Sequence, residues 1–131
     1  ILWDYHVILF TRRSPDLDGC VFDLDTRLDF PSGVEGYLQQ TFRNVALLPT
    51  AYQPMFRVTS AVDYVATFSS DRSHMRDDRG NWLAPPPTWP PIMGDNQQTL
   101  PDYMNFQSKT FGEAIDIDAF RLWSGGETKL V

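Results

Sequence analysis

Residues 1–11, ILWDYHVILFT, followed by RRSPDLDG (12–19) and CVFDLDT (20–26), decide how this chain is read. In the first stretch apolar and polar residues alternate with Trp, Tyr, Val and Ile prominent, which predicts a strand over Leu2–Thr11. Strand alternation places Trp3, Tyr5, Val7 and Leu9 on one face and Asp4, His6, Ile8 and Phe10 on the other. Pro15, Gly19 and two Asp in residues 12–19 are turn formers. A second strand over Cys20–Thr26 turns Cys20, Phe22 and Leu24 to one side and Val21, Asp23 and Asp25 to the other. The two strands are expected to form a hairpin centred near Ser14-Pro15, with Phe10 opposite Gly19 and His6 opposite Asp23.

Outward from the hairpin, Pro31-Ser32 opens a helical segment to about Asn44. Val34, Tyr37, Leu38, Thr41 and Phe42 fall at helical spacing, and Ser32 with Glu35 has capping-box spacing. Met55–Thr59 reads as a third strand. Ser60 with Asp63 caps a short helix through Phe68 that is expected to bury Val62, Val65 and Ala66. Residues 69–110 carry little periodicity. Ala114–Ile117 reads as a strand, and Asp118 as the cap of a last helical turn through Trp123. Strands and helices alternate without regular βα units, so the fold class expected is α+β, a central and mainly antiparallel sheet flanked by helices.

The 131 residues fit one domain, and 42% hydrophobic with 14% aromatic residues argues against disorder. Eleven Lys and Arg against 17 Asp and Glu leave a net charge of −6, with no basic stripe for phosphates, which disfavours nucleic-acid binding. The longest apolar runs, such as Val7–Phe10, are far short of the about 20 residues a bilayer span needs, so no membrane association is expected. Cys20 is the single cysteine, which rules out an intrachain disulfide framework and fits a reducing compartment. No secretory or transit pattern is present. The sequence starts at Ile1 without Met and enters a strand pattern at once, so it reads as a fragment or a processed chain.

Chemistry centres on His6 and Asp23. Directly opposed residues in an antiparallel pair have Cβ atoms roughly 4.5–5.5 Å apart, within hydrogen-bonding reach for these side chains. A carboxylate accepting from Nδ1 fixes the imidazole tautomer and leaves Nε2 as a base, two-thirds of a nucleophile–His–Asp arrangement. The alternatives are a cross-strand polar pair without catalytic part, or Asp25 or Asp4 serving in place of Asp23. His74 is a rival base or a structural histidine. A metal site from His6, His74 and carboxylates lacks metal-ligand spacing. Cys20 lies three residues before Asp23, so alternation points it to the opposite face, and it reads as a small core residue rather than a reactive thiol.

Trp3-Asp4-Tyr5-His6, Phe22-Asp23-Leu24-Asp25-Thr26 and Phe30-Pro31 are followed by Phe68, Ser70-Asp71-Arg72-Ser73-His74-Met75, Gly80-Asn81-Trp82, Pro85-Pro86-Pro87 and Phe111-Gly112 through Phe120. In order and spacing this series resembles the protein N-terminal glutamine amidohydrolases over nearly the whole chain, and the combination SDRSHM…GNW is specific. The resemblance implies a papain- or transglutaminase-like architecture, of which residues 1–131 are the C-terminal major part, with catalytic His6 and Asp23. It implies hydrolysis of N-terminal Gln to Glu with ammonia release, by a Cys-His-Asp triad and a thioester, in preparation for N-end-rule degradation. No cofactor is implied. The partners would be proteins or peptides with N-terminal Gln, the place the cytoplasm and also the nucleus, and the complete enzyme a monomer. In the family the nucleophilic Cys precedes the WDYH strand, and nothing in these residues corresponds to it, so the chain alone is expected to be inactive.

The resemblance places Asp71, Ser73, His74 and Trp82 near the substrate, with Asp71 facing the α-ammonium; without it, residues 70–75 read as an Asx/Ser-capped turn held by Arg72. Residues 84–91, APPPTWPP, hold five of the ten prolines. They read either as a rigid loop packing Trp82 and Trp89 over the site or as a polyproline II ligand for SH3 or WW grooves. The competing functions are thus a non-catalytic binding module built on that loop, or another papain-like thiol hydrolase.

Overall fold

The computed structural model describes residues 5–12, 19–94 and 97–126. Trp3, Asp4 and the Ser14-Pro15 turn lie outside them. The hairpin strands are β1 (Leu9–Thr11) and β2 (Cys20–Phe22), shorter than the pattern predicts. Leu9 pairs with Phe22, Phe10 with Val21 and Thr11 with Cys20. The register is therefore shifted by two residues from the expected one. A shift of two leaves every side chain on its expected face, because the strand repeat is two. His6, Ile8 and Phe10 turn inward while Tyr5, Val7, Leu9 and Thr11 are exposed; Val21 and Asp23 are buried while Leu24 is 91% exposed.

β2 continues antiparallel onto β3 (Ser32–Gly33), which runs directly into helix α1 (Val34–Thr41). Ser32 does not cap α1. Its hydroxyl donates to the carbonyl of Asp29, and Gly33 is the N-cap residue without a side-chain bond. The residue just before the helix is already committed to the sheet edge, so the capping box is displaced. Val34, Tyr37 and Leu38 are the buried positions of α1, at i, i+3 and i+4. The chain then reverses through Asn44 at φ 57°, a left-handed conformation Asn tolerates better than most residues.

Two compact units divide the chain, Ile1–Val58 with Glu113–Val131, and Thr59–Gly112. In the first, β4 (Met55–Val58) pairs antiparallel with β5 (Glu113–Asp116), which leads into α4 (Ile117–Ser124). Asp116, not Asp118, caps α4, accepting from the amide of Ala119 at 2.8 Å. The core joins Val21, Val34, Tyr37, Leu38, Ile115, Ile117 and Phe120. Phe120 stacks on Phe56 at 4.5 Å and meets the edge of Phe10 at 6.0 Å. A Cβ on Gly19 would run into the Phe10 ring, so this turn-flanking glycine is needed for close approach.

The second unit contains α2 (Ala61–Thr67) and α3 (Leu100–Met104). Ser60 caps α2 as expected, accepting from the amide of Asp63 at 3.0 Å. Val62 and Val65, expected inside, are 79% and 81% exposed, and Ala66 is exposed too. The inward face of this helix is instead Tyr64 with Thr67, and Tyr64, Phe68, Tyr103 and Phe111 form an aromatic cluster. A period-3.6 pattern of valines does not say which stripe packs, and the larger aromatic area prevails. α3 lies inside the stretch expected to lack periodicity.

The fold is α+β. The described strands form two small antiparallel sheets, three-stranded β1-β2-β3 and two-stranded β4-β5, in place of the single central sheet expected. No helix among the described residues is long and apolar enough to cross a membrane.

Candidate active site

Asp23 follows β2 and is 2% exposed, so its carboxylate must find its partners inside the protein. Oδ1 accepts from Nε2 of His6 at 2.8 Å and from the backbone N–H of Asp25 at 2.9 Å. Oδ2 accepts from the hydroxyl of Tyr37 at 2.7 Å. Burial pushes the carboxyl up, but the hydrogen bonds from Tyr37, the Asp25 amide and His6 outweigh it and hold Asp23 below its ordinary value of 3.8. Tyr37 is pushed well above its ordinary value of 10.0 by burial and by the Asp23 charge it donates to, so it remains a donor throughout the working range.

The predicted pair is thus brought together, with one difference. Asp23 takes Nε2 of His6, not Nδ1. The ladder ends at Leu9 and Phe22, and the chain turns at Asp23–Thr26, so His6 and Asp23 meet beyond the paired strands rather than as a cross-strand pair. Since Asp23 is an acceptor, neutral His6 carries its proton on Nε2 and the lone pair on Nδ1. Asp25 Oδ2 stands 3.7 Å from Nδ1, too long for a hydrogen bond, and its side chain is mostly exposed. An open cavity of about 470 Å³ lies on the Asp23 side, lined by Asp23, Asp25, Thr26, Arg27, Leu28, Gln40 and Thr41. It mixes both charge signs with amide and hydroxyl groups, a lining suited to a polar ligand.

Cys20 is half-buried and lies in β2 at the odd phase from Asp23, on the opposite face of the strand, as the alternation predicts. A thiol there cannot meet His6 on the Asp23 side.

Asp71, Ser73, His74 and Trp82 belong to the second unit. Arg72 takes φ 62°, and the turn is closed by Asp71 Oδ1 accepting from the Ser73 amide at 2.8 Å and from the side-chain amide of Gln98. The hydrogen bonds from Ser73 keep the exposed Asp71 carboxyl below its ordinary value. Ser73, His74, Gln98, Leu100, Pro101, Met104 and Asn105 line an open cavity of about 420 Å³. Trp82 bridges to Arg76 through its backbone, with the guanidinium 3.9 Å from its ring centroid. Arg72 donates to the carbonyls of Trp89 at 2.8 Å and Pro90 at 3.2 Å, which orders the proline-rich loop, while Trp89 is 63% exposed. Among the described residues no three His, Cys, Asp or Glu side chains converge as metal ligands.

No sequence pattern marks Tyr37 or Gln98 as a site residue. Tyr37 fits the apolar stripe of α1 and so reads as core; nothing local shows that its hydroxyl meets a carboxylate 14 residues away.

Comparison with known proteins bears on the family of the chain. The family model described as N-terminal glutamine amidase matches residues 1–123. Proteins named protein N-terminal glutamine amidohydrolase from Drosophila erecta and Drosophila melanogaster are each 44% identical over 106 residues, 79% of this chain and 51% of theirs. That of Drosophila pseudoobscura pseudoobscura is 43% identical over the same length. The matched region thus spans about half the length of these curated relatives. A family model matching residues 1–123, together with relatives 44% identical over 79% of the chain, leads to one conclusion: the chain belongs to the N-terminal glutamine amidase family.

Proposed function

We propose that this chain carries the His–Asp part of a thiol-dependent site that hydrolyses the side-chain amide of N-terminal Gln to Glu and ammonia. The observation that carries the reading is the 2.8 Å bond from His6 Nε2 to buried Asp23, which leaves Nδ1 as the basic nitrogen. Family membership supplies the substrate class.

In this reading a cysteine from polypeptide outside these 131 residues stands beside Nδ1, since Cys20 occupies the other face of β2. Nδ1 takes the thiol proton, and the thiolate attacks the carboxamide carbon of Gln. Nδ1 then gives the proton to the departing nitrogen, which leaves as ammonia while a thioester forms. Water, losing a proton to Nδ1, attacks the thioester; the C–S bond breaks, the proton returns to sulfur, and Glu is released. Asp23 stays ionised, stabilising the imidazolium and holding its orientation. Every step is acid–base and acyl-transfer chemistry, so it runs without a cofactor. The wider reading follows the family resemblance: a papain- or transglutaminase-like architecture, a monomeric enzyme of cytoplasm and nucleus, and products destined for N-end-rule degradation.

The test joins the chain to an N-terminal segment bearing a cysteine, in cis or as a second chain, and follows ammonia release from Gln-initiated peptides. Release without peptide cleavage or cross-linking is expected. It should be abolished when the added cysteine is changed to Ser and hardly altered by Cys20→Ser. Peptide cleavage would point to another papain-like hydrolase. Absence of turnover together with capture of SH3 or WW domains, lost on Pro86→Ala, would point to a binding module. Substantial activity of the bare chain that disappears with Cys20→Ser would overturn the triad.

A further inference from the structure

We infer that Tyr37 is a positioning residue of this site: its buried hydroxyl anchors Oδ2 of Asp23 so that Oδ1 is aimed at His6. The inference rests on reading His6 as the base, and it adds a group from helix α1 to a pair supplied by the β1–β2 hairpin.

The geometry is specific. A carboxylate has two oxygens, and free rotation about its last bond would exchange them. Here they are made unequal. Oδ2 takes the Tyr37 hydroxyl at 2.7 Å, while Oδ1 takes the Asp25 amide at 2.9 Å and His6 Nε2 at 2.8 Å. Tyr37 is itself 1% exposed and packed in the core with Leu38 and Val34, so its hydroxyl is carried on a rigid support. A buried phenol that only filled space would be served as well by Phe. The hydroxyl needs a partner when buried, and it has found the carboxylate that His6 bonds at 2.8 Å. Its proton cannot be lost near neutrality, because burial and the neighbouring charge oppose ionisation. The donor role is therefore fixed, and Oδ2 cannot receive a proton without displacing it.

The consequence is that α1, through one hydroxyl, sets both the charge and the aim of Asp23. Hydrogen bonds to charged groups are stronger than neutral ones, so loss of this one should strengthen proton binding at Asp23 roughly tenfold or more. The orientation of Oδ1 would then depend on the Asp25 amide and on His6 itself.

The experiment needs no turnover, so its failure is separable from failure of the amidohydrolase reading. The chain holds two histidines, and a His74→Gln variant assigns the His6 ring nitrogens in an ¹⁵N spectrum. The Asp23 carboxyl is followed by ¹³C. In the unaltered chain Asp23 should titrate below its ordinary range, with the Nε2 signal of His6 changing at the same pH. In Tyr37→Phe both transitions should move together to higher pH. A fluorinated tyrosine placed at position 37 keeps the ring shape and makes a stronger donor, so both should move to lower pH. Val34→Ala, which thins the same helix face without touching the carboxylate, should leave them in place. Unchanged transitions with both Phe and fluorotyrosine at position 37, or an equal displacement by Val34→Ala, would overturn the assignment. If Tyr37→Phe does not fold, the fluorotyrosine chain decides alone.

Discussion

Replacement of Asp23 by Asn tests whether the carboxylate, rather than the shape of the side chain, organises this part of the fold. Asn keeps the volume and one acceptor oxygen, which can still serve the Asp25 amide and His6. It puts an NH₂ group where Oδ2 now receives the Tyr37 hydroxyl at 2.7 Å, so that hydroxyl must turn its proton away and accept, and its bond to a charged acceptor is lost. The loss is one hydrogen bond to a charged acceptor, worth roughly 1.5–3 kcal/mol, together with weaker bonds on the remaining oxygen. Against it stands relief from burying a charge. The net cost near pH 7 should be about 2 kcal/mol, read by urea denaturation. Its pH dependence has a definite sign. A carboxyl held below its ordinary 3.8 in the folded chain binds protons more readily when unfolded. Its contribution is therefore fully present above that pH and is lost as pH falls through the lower folded value. The stability gap between parent and Asp23→Asn should accordingly stay level from neutrality down to about pH 4 and then narrow as the acid range is entered. A gap that widens on acidification, or one absent at pH 7, would refute the reasoning. In the reconstituted enzyme the same change should cost at least about a hundredfold in turnover, since a neutral amide no longer stabilises the imidazolium.

Two further outcomes bear on the scaffold. Phe120→Ala removes a nearly buried ring stacked on Phe56 at 4.5 Å, and should cost about 3–5 kcal/mol in denaturation experiments. Ser60→Ala deletes the one side-chain cap of α2 and should cost about 1 kcal/mol, read as lowered stability or as loss of amide protection at Asp63.

Much of the site was legible in residues 1–26 because strand geometry is strictly alternating. Knowing that His6, Phe10, Val21 and Asp23 share a side requires only the count along the chain, and it survived a two-residue error in register. The same count sends Cys20 to the other side. The order of motifs from Trp3 to Phe120 was enough to indicate the family that residues 1–123 match. Where two neighbouring residues can each do the same local job, the count gives no answer. Ser32 was available as a cap but bonds to Asp29, Asp116 caps α4 rather than Asp118, and Val62 and Val65 face outward although their spacing is helical.

The local pattern by itself determined the α+β class, the inward facing of His6 and Asp23 and the exclusion of Cys20 from their side, because backbone periodicity acts between residues close along the chain. Tertiary structure alone decided that Nε2 rather than Nδ1 meets Asp23, that the described strands form two sheets rather than one, and that Tyr37 holds the second carboxylate oxygen. The contacts of Asp23 with His6 and Tyr37 depend on how α1 lies against the hairpin to within a fraction of an ångström. Such a distance is set by the packing of Val21, Tyr37 and Leu38 in the core, and no spacing in the sequence encodes it.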